Sequence, residues 1–213
     1  MSDSILFRER ELFHKRLVES GLLSLQGDVA SNADSGSKSS KLIGLKLAGL
    51  LGAPQGEKLQ GQTSGAIFER EIADYLMRTF RELQHLRPGT WEVKNLGNRG
   101  HKVAENFAQY EHLSHLAMMV SRDRELKMAI GNDYVVSPDV VVARELVSDD
   151  EINATKTFVA DDVALKADLR SANGGKPILH ASVSAKWTIR SDRAQNSRTE
   201  ALNLIRNRKG RLP

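Results

Sequence analysis

Two stretches carry residues whose type and setting could do chemistry. Tyr134-Val-Val-Ser-Pro-Asp139-Val-Val-Val-Ala143 is almost continuously β-branched and apolar, the pattern of a strand buried on both faces. A carboxylate in such a run is costly unless it is paired or bound to a cation, so Asp139 needs a reason to be there. Magnesium supplies one, because this hard ion is commonly held by one or two carboxylates together with water and phosphate oxygens. Pro138 signals an edge, a bulge or a bend at the same point. The second stretch, His180 to Arg193, reads as a strand that runs into charged groups. Alternation puts Leu179, Ala181, Val183, Ala185, Trp187 and Ile189 on an apolar face, and His180, Ser182, Ser184, Lys186 and Thr188 on the other. A lysine in mid-strand is either a snorkelling edge residue or a catalytic cation. As a catalytic cation, Lys186 could orient or deprotonate an attacking water, or stabilise a pentacovalent phosphate.

Taken in order, Pro138-Asp139 and Ser184-Ala185-Lys186 resemble the PD-(D/E)xK nuclease signature in a permuted form, with Ser184 where the second acidic residue normally stands. Fourteen residues after Lys186 comes Glu200, in a stretch (196–205) that reads as a helix returning over the sheet. Its carboxylate could reach the vacancy. The ordered set of Pro-Asp, Ser-x-Lys and distant Glu is similar to that of the NgoMIV-type restriction endonucleases, and Arg190-Ser191-Asp192-Arg193 resembles their base-reading segment.

This likeness runs from the N-terminal helix to about the last residue, although members of the family extend further at the C-terminus. It implies an α/β fold of the restriction-endonuclease kind, a central mixed sheet flanked by helices, in one domain over residues 1–213. It implies a type II deoxyribonuclease in which Asp139 and Glu200 hold one or two magnesium ions, with Ser184 and Lys186 beside them. The family's sites also include a helix-borne Glu in a Phe-Glu context, which selects Glu69. The expected substrate is double-stranded DNA at a palindrome with a CCGG core, GCCGGC in full. The expected assembly is a homodimer that pairs into a homotetramer, in the cytoplasm, alongside a DNA methyltransferase acting on the same site.

Each piece also has a plainer reading. Ser197 and Glu200 fit the capping-box spacing, so Glu200 could only close its helix. Arg190 to Arg193 could be a turn with Ser191 or Asp192 as helix cap. The more specific reading follows from base chemistry: arginine pairs bidentately with guanine O6 and N7, and aspartate accepts from cytosine N4. Arg190 and Arg193 would each take a guanine while Asp192 bridges neighbouring cytosine amines. Two other functions compete, a repair or junction-resolving nuclease of the same superfamily and a DNA-binding protein that has lost turnover.

Composition narrows the choice. A chain of 213 residues can build one sizeable core or two small ones. It has no cysteine, so disulfides and thiolate metal sites are excluded and a reducing compartment is natural. No secretory leader is read, and the most apolar stretch (42–53) is too short to span a bilayer. From Lys186 onward eight basic residues stand against Asp192 and Glu200, so that +6 of charge gathers there and −2 remains upstream of an overall +4. Positive charge beside the base-reading segment suits phosphate contacts; a solvated basic tail is the alternative.

The elements that must position these residues can be read in chain order. Residues 4–25 form an amphipathic helix by spacing, and 27–40 a small, polar segment that is either a flexible surface loop or a DNA-contacting arm. Asp34 and Ser35 in that segment are candidates for base edges outside the core, and Gln62 for the minor groove. Lys41 to Leu51 reads as a short helix, and a longer one capped by Thr63 or Ser64 should run to Leu86. On it Glu69 falls on the inward stripe with Ile72, Ala73, Leu76 and Phe80, and Glu71 on a more polar side. Trp91 to Leu96 reads as a strand, Gly97 to Gly100 as a turn, Lys102 to Val120 as a helix and Asp161 to Ala172 as another. His112 and His115 share a helical face, but no third ligand stands in register for zinc, and an interface role is expected.

Overall fold

The computed structural model describes residues 4–97, 104–131 and 138–209. The chain divides into two compact units, the first formed by residues up to Glu82 with Ser184–Thr199, the second by Leu83–Val183 with the residues from Glu200 onward.

In the first unit, helix α1 (Ile5–Glu19) opens on Ser4, whose hydroxyl accepts the Phe7 amide. A hairpin follows, with β1 (Leu25–Gln26) antiparallel to β2 (Val29–Ala30) around Gly27-Asp28. Gly27 has φ +61°, a conformation that suits a two-residue hairpin turn. Helix α2 (Lys38–Leu50) is capped by the Ser37 hydroxyl, and α3 (Gly61–Arg81) begins without a side-chain cap. Leu17, Leu22, Leu23, Ala30 and Ala48 form the core, with Phe13, Ile67, Phe68 and Trp187 packed against it. Gly44 lets α2 lie close on the chain before it, since a Cβ there would meet Asn32 Oδ1 at 3.0 Å and the Ala30 and Ala33 methyls at 3.2 Å.

The polar side expected for Glu71 is corrected here. Glu71 is 3% exposed and takes Arg16 Nε of α1 at 2.8 Å, while Glu69 is half-buried. Arg16 also reaches Asp74 at 3.2 Å, and Arg78 meets Glu9 at 2.6 Å. The side of α3 that bears Glu71 is the one that meets α1: Tyr75 on it approaches the Phe13 ring at 5.4 Å, and ion pairs between the two helices extend the buried face until it includes a carboxylate. Helical spacing alone does not reveal such a partner.

The second unit is organised on a three-stranded antiparallel sheet in the order β3 (Trp91–Asn95), β4 (Val140–Arg144), β5 (Ile178–Val183). Val140 to Ala143 are at most 2% exposed, so this part of the central strand is buried on both faces as its composition indicates. The start of that reading, at 134–137, lies outside the described residues, as do positions 98–100 of the expected turn and Lys102. Pro138 precedes β4 and does not interrupt it. Among the described residues every ladder is antiparallel, and parallel pairing is confined to single bridges such as Ala33–Ile189. The α/β class, with helices around antiparallel sheets, is what the fold shows.

Of two expected helices, the first gives way to turns only in its opening part and forms from His112 onward, while the second is turns throughout, for identifiable reasons. Residues 104–110 form two 3₁₀ turns before α4 (His112–Arg122) and α5 (Arg124–Ile130). There Gln109 uses its side-chain amide like a strand residue, donating to the Leu179 carbonyl at 2.8 Å and accepting the Leu179 amide at 3.0 Å. That docking, with Phe107 and Tyr110 each 2% exposed in the core, overrides local helical spacing.

Residues 161–172 are also turns, after the short helix α6 (Asp149–Ile152). Arg170 is buried, grips Asp149 through two bonds of 2.7 and 2.6 Å, and donates to the carbonyls of Ala160 and Val163. The backbone bonds here run from residue i+3 back to i, Val163 to Ala160 and Ala167 to Ala164, as in single turns and not in an α-helical ladder. The same pairing holds the Asp149 carboxyl below its ordinary pKa and the Arg170 guanidinium above its own. Finally, α7 (Ser191–Asn207) begins in the first unit and ends in the second.

Candidate active site

The strand expected to carry Lys186 is shorter than its alternation suggests, ending at Val183. It also contains a bulge: Val142 pairs with Ala181 and Ala143 with Leu179, which leaves His180 as the extra residue. The single apolar face from Leu179 to Ile189 is therefore corrected, because an inserted residue reverses the alternation. Leu179 joins the core on the side of Val141 and Ala143, whereas Ala181 and Val183 pair with Val142 and Val140. His180 belongs to a different setting from Lys186. It lies edge-on to Trp91 at 4.8 Å and within 3.4 Å of Arg87. Burial, then the positive charges of Arg87 and Arg144, keep its imidazole below the ordinary pKa of 6.5.

Beyond Val183 the chain enters the first unit, where tertiary contacts take over from the ladder. Trp187 packs its ring on Phe68 at 5.1 Å. This contact joins the position just after Lys186 to the position just before Glu69 on α3. Ile189 donates its amide to the Asn32 carbonyl at 2.8 Å and forms a bridge with Ala33. The 27–40 segment is thus no loose arm; it is bonded to the backbone that leads into Arg190.

A cleft of about 600 Å³ opens between these pieces, lined among others by Asp34, Lys186, Arg190, Ser191, Arg193 and Ser197. Five residues singled out from the sequence therefore share one concavity. Lys186 is half-buried there, while Arg190 and Arg193 are exposed. Asp192 forms a bidentate pair with Arg190, Nε to Oδ1 and Nη2 to Oδ2, both at 2.9 Å. Ser184 meets Ser197 hydroxyl to hydroxyl at 3.2 Å. Ser35 and Gln62 are exposed and not among the lining residues.

The capping-box reading of Ser197 and Glu200 does not hold. Helix α7 starts at Ser191, so Ser197 stands in its second turn and donates to the Arg193 carbonyl. Ser37, Ser40 and Thr188 also line the cleft and were not legible as site residues. The Ser-x-x-Ser spacing from Ser37 to Ser40 at the start of an apolar run was the available signal.

In the second unit, Asp139 is half-buried immediately before β4, and its carbonyl accepts the Leu96 amide at 2.8 Å. Glu200 is half-buried on α7. The second-unit end of that helix is fastened where Tyr110 donates to the Leu204 carbonyl at 2.9 Å and Lys209 donates to that of Gln109 at 3.0 Å. A half-buried carboxylate is a ligand that magnesium accepts, since water and phosphate complete its shell. No cluster of three or more His, Cys, Asp or Glu is found among the described residues. No described helix is long and apolar enough to cross a membrane.

An α/β fold with a cleft that gathers a lysine, two arginines and serine hydroxyls suits a polyanion, and the class of protein it defines is nucleic-acid-binding. Comparison with known proteins makes this specific. The family model described as NgoMIV restriction enzyme matches residues 13–213. The type II restriction enzyme NgoMIV of Neisseria gonorrhoeae is 46% identical over 208 residues, covering 97% of this chain and 73% of that longer protein. The chain belongs to the NgoMIV restriction enzyme family and is a site-specific type II restriction endonuclease acting on DNA.

Proposed function

We propose that this endonuclease cuts double-stranded DNA at a palindrome with a CCGG core, GCCGGC in full, and that it requires magnesium. The observation that carries the reading is the shared cleft, lined by Lys186, Arg190, Arg193 and Asp34. Arg190 commits its Nε and Nη2 edge to Asp192, which leaves the Nη1 and Nη2 end free to take guanine O6 and N7 as a pair. Asp192, oriented by that bond, keeps acceptor capacity for cytosine N4 amines. Arg193 serves the second guanine, and Asp34 the base pair outside the core.

Asp139 and Glu200 hold the magnesium, one ion or two, within a permuted PD-(D/E)xK arrangement. The ion, when bound, supplies positive charge against the phosphate oxygens. Lys186 positions the attacking water and steadies the negative charge that builds on the phosphate. Glu69, carried by α3 next to the Phe68 anchor, and Ser184, bonded to Ser197, support that arrangement. A palindrome calls for two-fold related subunits, so the working form is a homodimer, with two dimers joined as a tetramer. In the cell a methyltransferase would protect the same sequence.

The test is to digest plasmid DNA with magnesium or with calcium and to sequence the termini. Uniform ends inside GCCGGC with magnesium alone are expected. Scattered ends would indicate a repair or junction nuclease, and binding without cutting a member that has lost turnover.

A further inference from the structure

Ser40 lies in the first turn of α2 and is 4% exposed, and its hydroxyl both accepts and donates. It accepts the Asp34 amide at 2.8 Å and donates to the Ile189 carbonyl at 2.7 Å. The Ile189 amide donates in turn to the Asn32 carbonyl at 2.8 Å, and the Ser40 amide to the Ser37 hydroxyl at 3.3 Å. One buried oxygen thus ties the backbone of Asp34 to the residue directly before Arg190. Asp34, Ser40, Ile189, Arg190 and Arg193 all border the same cleft.

We infer that Ser40 is a positioning residue for base discrimination, coupling the backbone that bears Asp34 to the backbone that launches Arg190 to Arg193. The inference rests on the assignment of these side chains to base edges. Bidentate hydrogen bonds weaken steeply as distance and angle drift, so a guanidinium whose root can move loses its preference before it loses its attraction to phosphate. Alanine at position 40 removes both bonds and takes this partner from the half-buried Asp34 amide and Ile189 carbonyl. The two reading elements are then free to settle separately.

The experiment measures kcat/KM of the full chain on a GCCGGC duplex and on duplexes altered at one core pair or at the outer pair. In Ser40→Ala, the rate on altered relative to intact duplexes is expected to rise about tenfold at both kinds of position together. A merely structural role would lower all rates by one factor and leave the ratios unchanged, and that result overturns the inference. Should Ser40→Ala not fold, as judged by thermal melting, Ser40→Cys keeps the volume with a weaker donor and acceptor. It is expected to shift the ratios in the same direction, and unchanged ratios in it overturn the inference equally. Arg193→Ala, run in parallel, separates the two failures. Unchanged ratios there reject the base-reading assignment itself, whereas changed ratios there with unchanged ratios at position 40 reject only the coupling.

Discussion

Ser24, Ser31, Asn32, Ser40, Ser64, Glu71 and Thr79 are all buried in the first unit, whereas the buried polar residues described in the second are Gln109 and Arg170. The second unit fills its interior with Leu96, Phe107, Tyr110, Leu113 and the β4 valines. Apolar burial is non-directional and supplies most of the stability; hydrogen bonds add less but fix angles and distances. The cleft-bearing part of the molecule therefore adds many directional bonds to its apolar core, while the sheet-bearing part relies more on bulk burial. Changes in the first unit should be felt chiefly as lost discrimination, and changes in the second chiefly as lost stability.

The largest expected effect cuts across this division. Asp139→Ala in the second unit and Lys186→Ala in the first should each lower cleavage by on the order of 10³-fold or more. Gel-shift assays should find specific binding intact in the lysine variant. Normal turnover by either variant would remove the proposed catalytic set. Next comes Phe107→Ala, expected to cost about 3–5 kcal/mol in urea unfolding. The protein that stays folded should keep its preference for its site; a changed preference would mean that the second unit also shapes base reading. Arg193→Ala should show the opposite pattern, losing about 1–3 kcal/mol of discrimination within CCGG with the melting temperature unmoved.

The smallest effect is a pH dependence in the second unit. Burial first, and neighbouring cations after it, hold His180 and His112 below the ordinary 6.5, with Arg87 and Arg144 near the one and Lys209 near the other. A folded-state pKa below the unfolded one means that the unfolded chain takes up protons first. Stability present above about pH 6.5 is then lost as pH falls toward the folded-state values. Melting curves at pH 7.5 and 5.5 should show this loss, and His180→Asn should show less of it. Equal losses in both would exclude His180 as a source.

Much of this could be read from the chain because some signals are local. The run Val140 to Ala143 declares a doubly buried strand, and a Pro-Asp pair with a Ser-x-Lys and a later Glu declares a family. Arg190 and Arg193, singled out by base chemistry, line the cleft together with Lys186. What escaped depends on partners distant in sequence. Glu71 is buried where Arg16 comes to it, and Arg170 ties the turns at Ala160 and Val163 to Asp149. The 27–40 segment reads as loose until Ser40 is seen bonded to Ile189, 149 positions away. A periodicity in one segment carries no record of such meetings.

The extra residue in β5 has a consequence for how this strand can change length. Every rung from Val140–Val183 to Arg144–Ile178 forms without His180, so excising it would leave a regular ladder with no rung lost. The imidazole, with its seat against Trp91, would disappear, and the strand would lose the local coil that a bulge adds. This is the point at which β5 can absorb a single-codon deletion, and the twist of the backbone leading toward Lys186 is what such a deletion would reset.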